Sequence, residues 1–122
     1  MPIIVAIIGS RKFSPLKEVE NYVRQLYSNS LGHQQYLVIS GGARGVDKEA
    51  EKHAKEWGLF HKCYLPDWTK YGKKAGFIRN EEIIKNCDVV TAFWDGESKG
   101  TKHSIDLAMK YKKKINIFIR PS

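Results

Sequence analysis

The strongest constraint on the fold is an alternation of two periods along the chain. Five short, continuous apolar runs, rich in β-branched and aromatic residues, are separated by segments whose apolar residues recur at helical spacing. The runs are Ile3 to Ile8, Tyr36 to Ile39, Phe60 to Leu65, Val89 to Trp94 and Ile115 to Ile119. Unbroken runs of this length read as strands buried on both faces, which occur mostly in parallel sheets.

The intervening segments read as helices. Ser14-Pro15 offers an N-cap with proline at the first helical position, and Leu16, Val19, Val23 and Leu26 then share one face up to Leu31-Gly32. Val46, Ala50, Ala54 and Trp57 mark a second helix closed by Gly58, and Phe77, Ile84 and Cys87 a third. Thr101, Ile105, Ala108 and Met109 mark a fourth, with Lys110, Lys112, Lys113 and Lys114 at its C-terminal dipole end. The predicted order is βαβαβαβαβ. Strict alternation with short connections implies an α/β fold, a doubly wound five-stranded parallel sheet with helices on both faces. The 122 residues suit one domain, 1–122.

The longest apolar run is far too short to span a bilayer, and no charged leader precedes a cleavage-like site, so a soluble cytoplasmic protein with no membrane partner is expected. Cys63 and Cys87 are too few for a disulfide framework and are read as small core residues. His33, His53, His61 and His103 are read as showing no metal-like pairing with carboxylates or cysteines, so no metal is expected. Only His103 lies near a candidate ligand loop, and it reads more readily as an exposed helical residue than as a catalytic one.

The formal net charge is +8. Residues 1–60 carry 8 basic and 6 acidic groups, whereas residues 61–122 carry 13 and 7. Such an excess fits a phosphate-bearing partner and equally a solvated lysine surface.

In doubly wound sheets, ligands bind outside the carboxyl ends of the strands, beside the point where strand order reverses. The residues after each strand are therefore the candidates. Gly9-Ser10-Arg11 follows the first strand, Ser40-Gly41-Gly42-Ala43-Arg44-Gly45-Val46-Asp47 the second, and Asp95-Gly96-Glu97-Ser98-Lys99-Gly100-Thr101 the fourth. Gly41, Gly42 and Gly45 would let backbone approach a ligand, and a helix opening near Val46 points free N–H groups at the same place. Arg11 and Arg44 add forked donors, and Ser10, Ser40, Ser98 and Thr101 add hydroxyls. One glycine turn is explained by strand-to-helix geometry alone; three on one edge point to an anion site. Neither the Walker A nor the G-x-G-x-x-G spacing is present, and no cofactor is expected.

The connection from Pro66 to Gly76 is long, aromatic and basic. It is expected near the same edge, with Trp68, Tyr71 and Trp94 available for stacking on a base and Lys70, Lys73 and Arg79 for phosphates. Trp68 and Tyr71 equally suit a role as loop anchors. Asn80 at a helix start and Asp47 are candidates for helix caps, and Asp47 also for a ribose hydroxyl.

Gly9-Ser10-Arg11, Ser40 to Asp47, Asp67-Trp68 with Tyr71-Gly72-Lys73, Ala75-Gly76, Arg79-Asn80, and Trp94-Asp95-Gly96 with Ser98 to Thr101 fall in order along nearly the whole chain. Together they resemble the YspA-like, cpYpsA-related branch of the SLOG superfamily. The resemblance implies a Rossmann-like fold and a nucleotide or nucleotide-derived ligand, with Arg11, Arg44 and Arg79 as charge partners and Trp94 beside the base. It also implies homo-oligomers, since relatives often assemble.

Two relatives extend it. Asp95 to Ser104 is similar to the Gly-Gly-x-Gly-Thr-x-x-Glu segment of LOG phosphoribohydrolases, which cleave the N-glycosidic bond of nucleoside monophosphates, and their arginine matches Arg79. Their catalytic glutamate falls on Ser104, which supplies no carboxylate, so an N-glycosidase would need Glu97, Asp95 or Glu81 instead. Arg79 and Glu97 are the catalytic candidates of that reading. Ser40 to Asp47 and Arg79-Asn80 are similar to the Ser-Gly-x-Ala-x-Gly-x-Asp and Arg-Asn segments of DNA-processing protein A, a family that binds single-stranded DNA. The Lys70, Lys73 and Lys74 cluster suits that partner.

Overall fold

The five apolar runs form one all-parallel sheet. A computed structural model describes residues 1–120. Its strands are β1 (Ile3–Gly9), β2 (Tyr36–Ser40), β3 (Phe60–Cys63), β4 (Val89–Trp94) and β5 (Lys114–Ile119), in the spatial order β3-β2-β1-β4-β5. Val5 on the central strand faces Val38 of β2 on one side and Val89 of β4 on the other. From β1 the chain winds outward through β2 to β3, then returns across β1 to β4 and β5. Strand order therefore reverses between β1 and β4, and the crevice opens at Gly9 and Trp94.

The crossovers lay α1 (Lys17–Ser30) and α2 (Val46–Glu56) on one face and α4 (Ala75–Lys85) and α5 (Lys99–Lys110) on the other. Alternate residues of β1 divide between the two cores. Val5 and Ile7 pack with Val19, Val23, Val46, Ala50 and Phe93; Ala6 and Ile8 pack with Ile83, Ile84, Val90, Ile105 and Ala108. The period of two along a strand that is apolar on both sides explains the unbroken run Ile3 to Ile8. Among the described residues, no helix is long and apolar enough to cross a membrane.

Several expectations need correction. α1 begins at Lys17 with Leu16 at the N-cap position, not at Pro15. Its first turn is closed by the Pro15 and Leu16 carbonyls, which accept from the Glu18 and Val19 N–H groups, and the Ser14–Pro15 bond is cis. The outer strands are not buried on both faces: Phe60 on β3 and Ile117 and Ile119 on β5 are exposed, because an edge strand has only one neighbour to shield it. Phe77 and Met109 are exposed, and the buried faces of their helices run instead through Ala75, Ile83 and Ile84 and through Thr101, Ser104, Ile105 and Ala108.

The basic, aromatic connection also folds further than expected. Asp67 accepts from the Lys70 N–H at 3.0 Å and starts a short helix, α3 (Trp68–Tyr71), followed by a 3-10 turn over Gly72–Lys74. Cys87 is buried as expected, while Cys63 is half-buried on the edge strand.

Candidate functional site

At the switch point, one buried hydroxyl joins three elements. Ser10 Oγ accepts from the Asp95 N–H at 3.1 Å and lies 3.2 Å from Thr101 Oγ1. The ends of β1 and β4 and the start of α5 are thus fastened together. Asp95 organises the next turn, its Oδ1 accepting from the N–H groups of Glu97 at 2.9 Å and Ser98 at 2.8 Å. Those two donors, Ser98 foremost, hold its carboxyl below the usual aspartate range. Ser98 caps α5, and the indole N–H of Trp94 donates to the Ser98 carbonyl at 3.1 Å.

Beside this knot lies a hollow of about 150 Å³. Nine of the predicted residues line it: Gly9, Arg11, Gly41, Asp47, Arg79, Asn80, Ser98, Gly100 and Thr101. Arg79, from α4, donates to the Gly41 carbonyl through Nη1 and to Asn80 Oδ1 through Nε at 3.0 Å. Arg11 enters from the loop after β1 and is exposed to solvent. Asp47 is buried at the start of α2. Rather than capping its own helix it reaches back into the loop, where Oδ2 accepts from the Ala43 N–H at 3.2 Å. Its Oδ1 is buried without a partner.

Burial pushes the Asp47 carboxyl up to about 6, against the pull of the Ala43 N–H and the Arg79 guanidinium. The same burial lowers the pKa of Arg79, with Asp47 opposing it. The site therefore holds two guanidinium groups around one carboxyl that is only weakly acidic.

The remaining predicted residues build the edge without lining the hollow. The glycine loop does not stand open for a ligand. A Cβ on Gly41 would lie 2.7 Å from Arg79 Nη1, and one on Gly42 would lie 2.7 Å from Leu65 and 2.8 Å from the Cys63 sulfur. Gly45 approaches the Arg11 backbone in the same way. With Asp47 already bonded to Ala43, the protein's own groups fill the cradle where a phosphate was expected. Ser40 is fully buried, its hydroxyl without a partner; Arg44 is exposed away from the hollow. Trp94 is half-buried with its N–H engaged by the turn, and Glu97 is exposed outside the hollow.

Ile8, Ala43 and Ile83 also line the hollow without having been candidates, and so does Ser104, which entered only as the position of the phosphoribohydrolases' glutamate. A signal existed for two of them: Ile83 follows Arg79, and Ser104 follows Gly100, by one helical turn on the same face.

A larger groove of about 890 Å³ lies between α3, α4 and α5. It takes Lys70, Tyr71, Lys74, Phe77 and His103, the last packed edge-on against Phe77 at 4.7 Å, and shares no lining residue with the strand-end hollow. The aromatic connection is therefore not gathered around Arg79 as expected. The smaller hollow is the better candidate site, because the charged groups converge there at the switch point.

The sequence profile of the DNA recombination-mediator protein A family matches residues 2–66, from β1 through the glycine loop to the end of β3. The chain belongs to that family. The gene 61 protein of Mycobacterium phage D29 is 35% identical over 115 residues, covering 87% of this chain and 88% of the phage protein. DNA processing protein A from Streptococcus pneumoniae superposes with a TM-score of 0.79 at 19% identity, over 95% of this chain but only 50% of that one. DNA processing protein A from Helicobacter pylori, which has a single-stranded DNA binding mode, superposes with a TM-score of 0.71 at 26% identity, over 95% of this chain and 65% of that one. The chain thus spans between half and two thirds of these two DNA processing proteins. Family membership and the all-parallel sheet agree with the SLOG assignment and its Rossmann-like fold.

Proposed function

We propose that this domain binds single-stranded nucleic acid through its phosphates, at the carboxyl edge of the sheet. The observation that carries the reading is the convergence of Arg11 and Arg79, from separate elements, on a polar hollow at the strand-order reversal. Pockets that enclose a small molecule usually measure about 300–1,000 Å³. A hollow of about 150 Å³ suits one phosphate with its sugar, leaving the rest of a strand to run across the surface. The net charge of +8 and the exposed Lys70, Lys73 and Lys74 supply the counter-charge a backbone needs. The Helicobacter pylori protein's binding mode adds support from within the family.

A second reading, an isolated nucleotide or nucleotide-derived ligand, rests on Asp47. Its unpartnered, buried Oδ1 would accept from a ribose hydroxyl. The N-glycosidase variant of that reading has less support, since Glu97 faces solvent outside the hollow and Ser104 lines it.

Fluorescence anisotropy of a labelled oligothymidine, with mononucleotides as competitors, separates the two. Tight, sequence-tolerant binding that weakens steeply with salt and resists mononucleotides supports the strand reading. Saturable binding of a mononucleotide, with no uptake of the oligonucleotide at low salt, replaces it with the second.

A further inference from the structure

On the face covered by α1 and α2, a buried histidine is surrounded by carboxylates. His53 is only 4% exposed. Its Nε2 lies 3.2 Å from Glu49 Oε2, one turn earlier on α2. Its Nδ1 faces Glu20 Oε2 of α1 at 3.6 Å and Glu56 Oε2 of α2 at 3.5 Å, and makes no hydrogen bond to either. The ligand-capable atoms of Glu20, His53 and Glu56 all lie within 4.8 Å of one another. This corrects the expectation that the histidines lack metal-like partners. The Glu49 spacing stands in the sequence, but Glu20 reaches His53 only once α1 packs on α2.

The chemistry of the arrangement asks for a cation. A carboxylate only accepts, so the contact with Glu49 Oε2 is made by the Nε2–H of the ring, and the nitrogen turned toward Glu20 and Glu56 is Nδ1. Nδ1 is buried without a hydrogen-bond partner beside two carboxylate oxygens, and no other side-chain donor bonds it. A proton on Nδ1 would draw a carboxylate in to about 2.7–2.9 Å. The observed 3.5 and 3.6 Å match a different spacing: ligands about 2.0–2.2 Å from one tetrahedral ion sit roughly 3.3–3.6 Å apart. Glu49 would act as the outer carboxylate that orients a ligating imidazole. Glu20 is free to contribute Oε2, because its pairing with Arg24, at 3.9 Å, uses Oε1.

We propose that His53 Nδ1, Glu20 and Glu56 bind a divalent transition cation of the zinc class, which ties α1 to α2. Three protein ligands leave the fourth position to water, on the side where Glu56 is half exposed.

The full chain, treated with chelator, is titrated with Co²⁺ and then Zn²⁺, read by visible absorption, calorimetry and melting temperature. One ion per chain, a tetrahedral cobalt spectrum bleached by zinc, and a higher melting temperature with zinc are expected. Glu56→Gln, at an exposed helix end, keeps the fold and weakens binding at least tenfold, and Glu49→Gln weakens it roughly 10- to 100-fold. His53→Gln abolishes uptake, with circular dichroism and melting confirming that the variant is folded. Absence of one-to-one binding overturns the proposal. So does an affinity unchanged in both Glu20→Gln and Glu56→Gln, which would place the ion on surface histidines.

Discussion

Arg79 and Asp47 meet across Gly41. The guanidinium donates to the Gly41 carbonyl, and the space a Cβ would take there lies 2.7 Å from Arg79 Nη1 and 3.0 Å from Asp47 Oδ2. The absence of a side chain at residue 41 is what lets a cation from α4 and a carboxyl from α2 share one corner of the site. Gly41→Ala is expected to push the flexible Arg79 end aside and break its bond to the loop. The cost is about 1–3 kcal/mol of stability, read by urea unfolding. Oligonucleotide affinity falls with it, since Arg79 no longer points into the hollow. Wild-type affinity in a folded Gly41→Ala protein would show that the position of Arg79 is irrelevant to binding.

Asp47 makes the site sensitive to pH. Its carboxyl is raised from 3.8 to about 6 in the fold, so the folded state holds a proton that the unfolded chain releases earlier. Protons bound on folding mean that stability falls as pH rises through this window and levels off above it. The contribution of this group is thus full below about pH 4 and lost by about pH 6, on the order of 3 kcal/mol. Asp47→Asn keeps an oxygen for the Ala43 N–H and removes the charge. It should flatten this part of the pH-stability curve when melting temperatures of the two proteins are compared. The same proton governs anion binding: below about pH 6 the hollow loses its one negative charge, and oligonucleotide affinity should rise in the wild type relative to Asp47→Asn. An identical pH dependence in both proteins would remove Asp47 from the account.

How much of this was legible beforehand depends on the range of the interaction concerned. The strands and the four long helices follow from local periodicity. The residues after β1, β2 and β4 were identifiable as site candidates because a doubly wound sheet gathers its strand ends. Arg44 shares its loop with Gly41 and Ala43, and Trp94 ends β4 just before the turn that holds Ser98, yet neither lines the hollow, since the local backbone path decides which side chains turn inward. Phe77 and Met109 read as members of buried stripes although both are exposed, because an apolar residue at helical spacing looks alike whether it meets the sheet or solvent. Asp47 bonding to Ala43, and His53 facing Glu20, depend on how a loop folds back and how two helices pack.

The knot at Ser10 offers a test of how far the site depends on its buried support. Ser10→Ala leaves the Asp95 N–H buried without its acceptor and removes one of the two hydroxyl partners of Thr101 Oγ1, the other being Ser98 Oγ at 3.2 Å. An unsatisfied buried donor costs about 1–3 kcal/mol, which urea unfolding resolves. Ligand affinity is also expected to drop, although Ser10 does not line the hollow, because the start of α5 is no longer held to β1. A loss of stability with affinity unchanged would confine Ser10 to the fold alone.

The strand reading also makes a prediction for the salt dependence. Each phosphate neutralised by a cationic side chain releases condensed counterions, so the logarithm of affinity falls linearly with the logarithm of salt concentration. Arg11 is exposed and lines the hollow, so Arg11→Ala should leave the melting temperature nearly unchanged. Removing one phosphate contact should weaken binding of unrelated oligonucleotides about equally and make the slope shallower by roughly 1. Arg44→Ala, one loop away and outside the hollow, is the internal control, with a smaller change in slope. An equal or larger change in Arg44→Ala would move the path of the strand from the hollow onto the outer side of the glycine loop. A slope unchanged in both variants would remove the guanidinium groups of these loops from contact with the backbone.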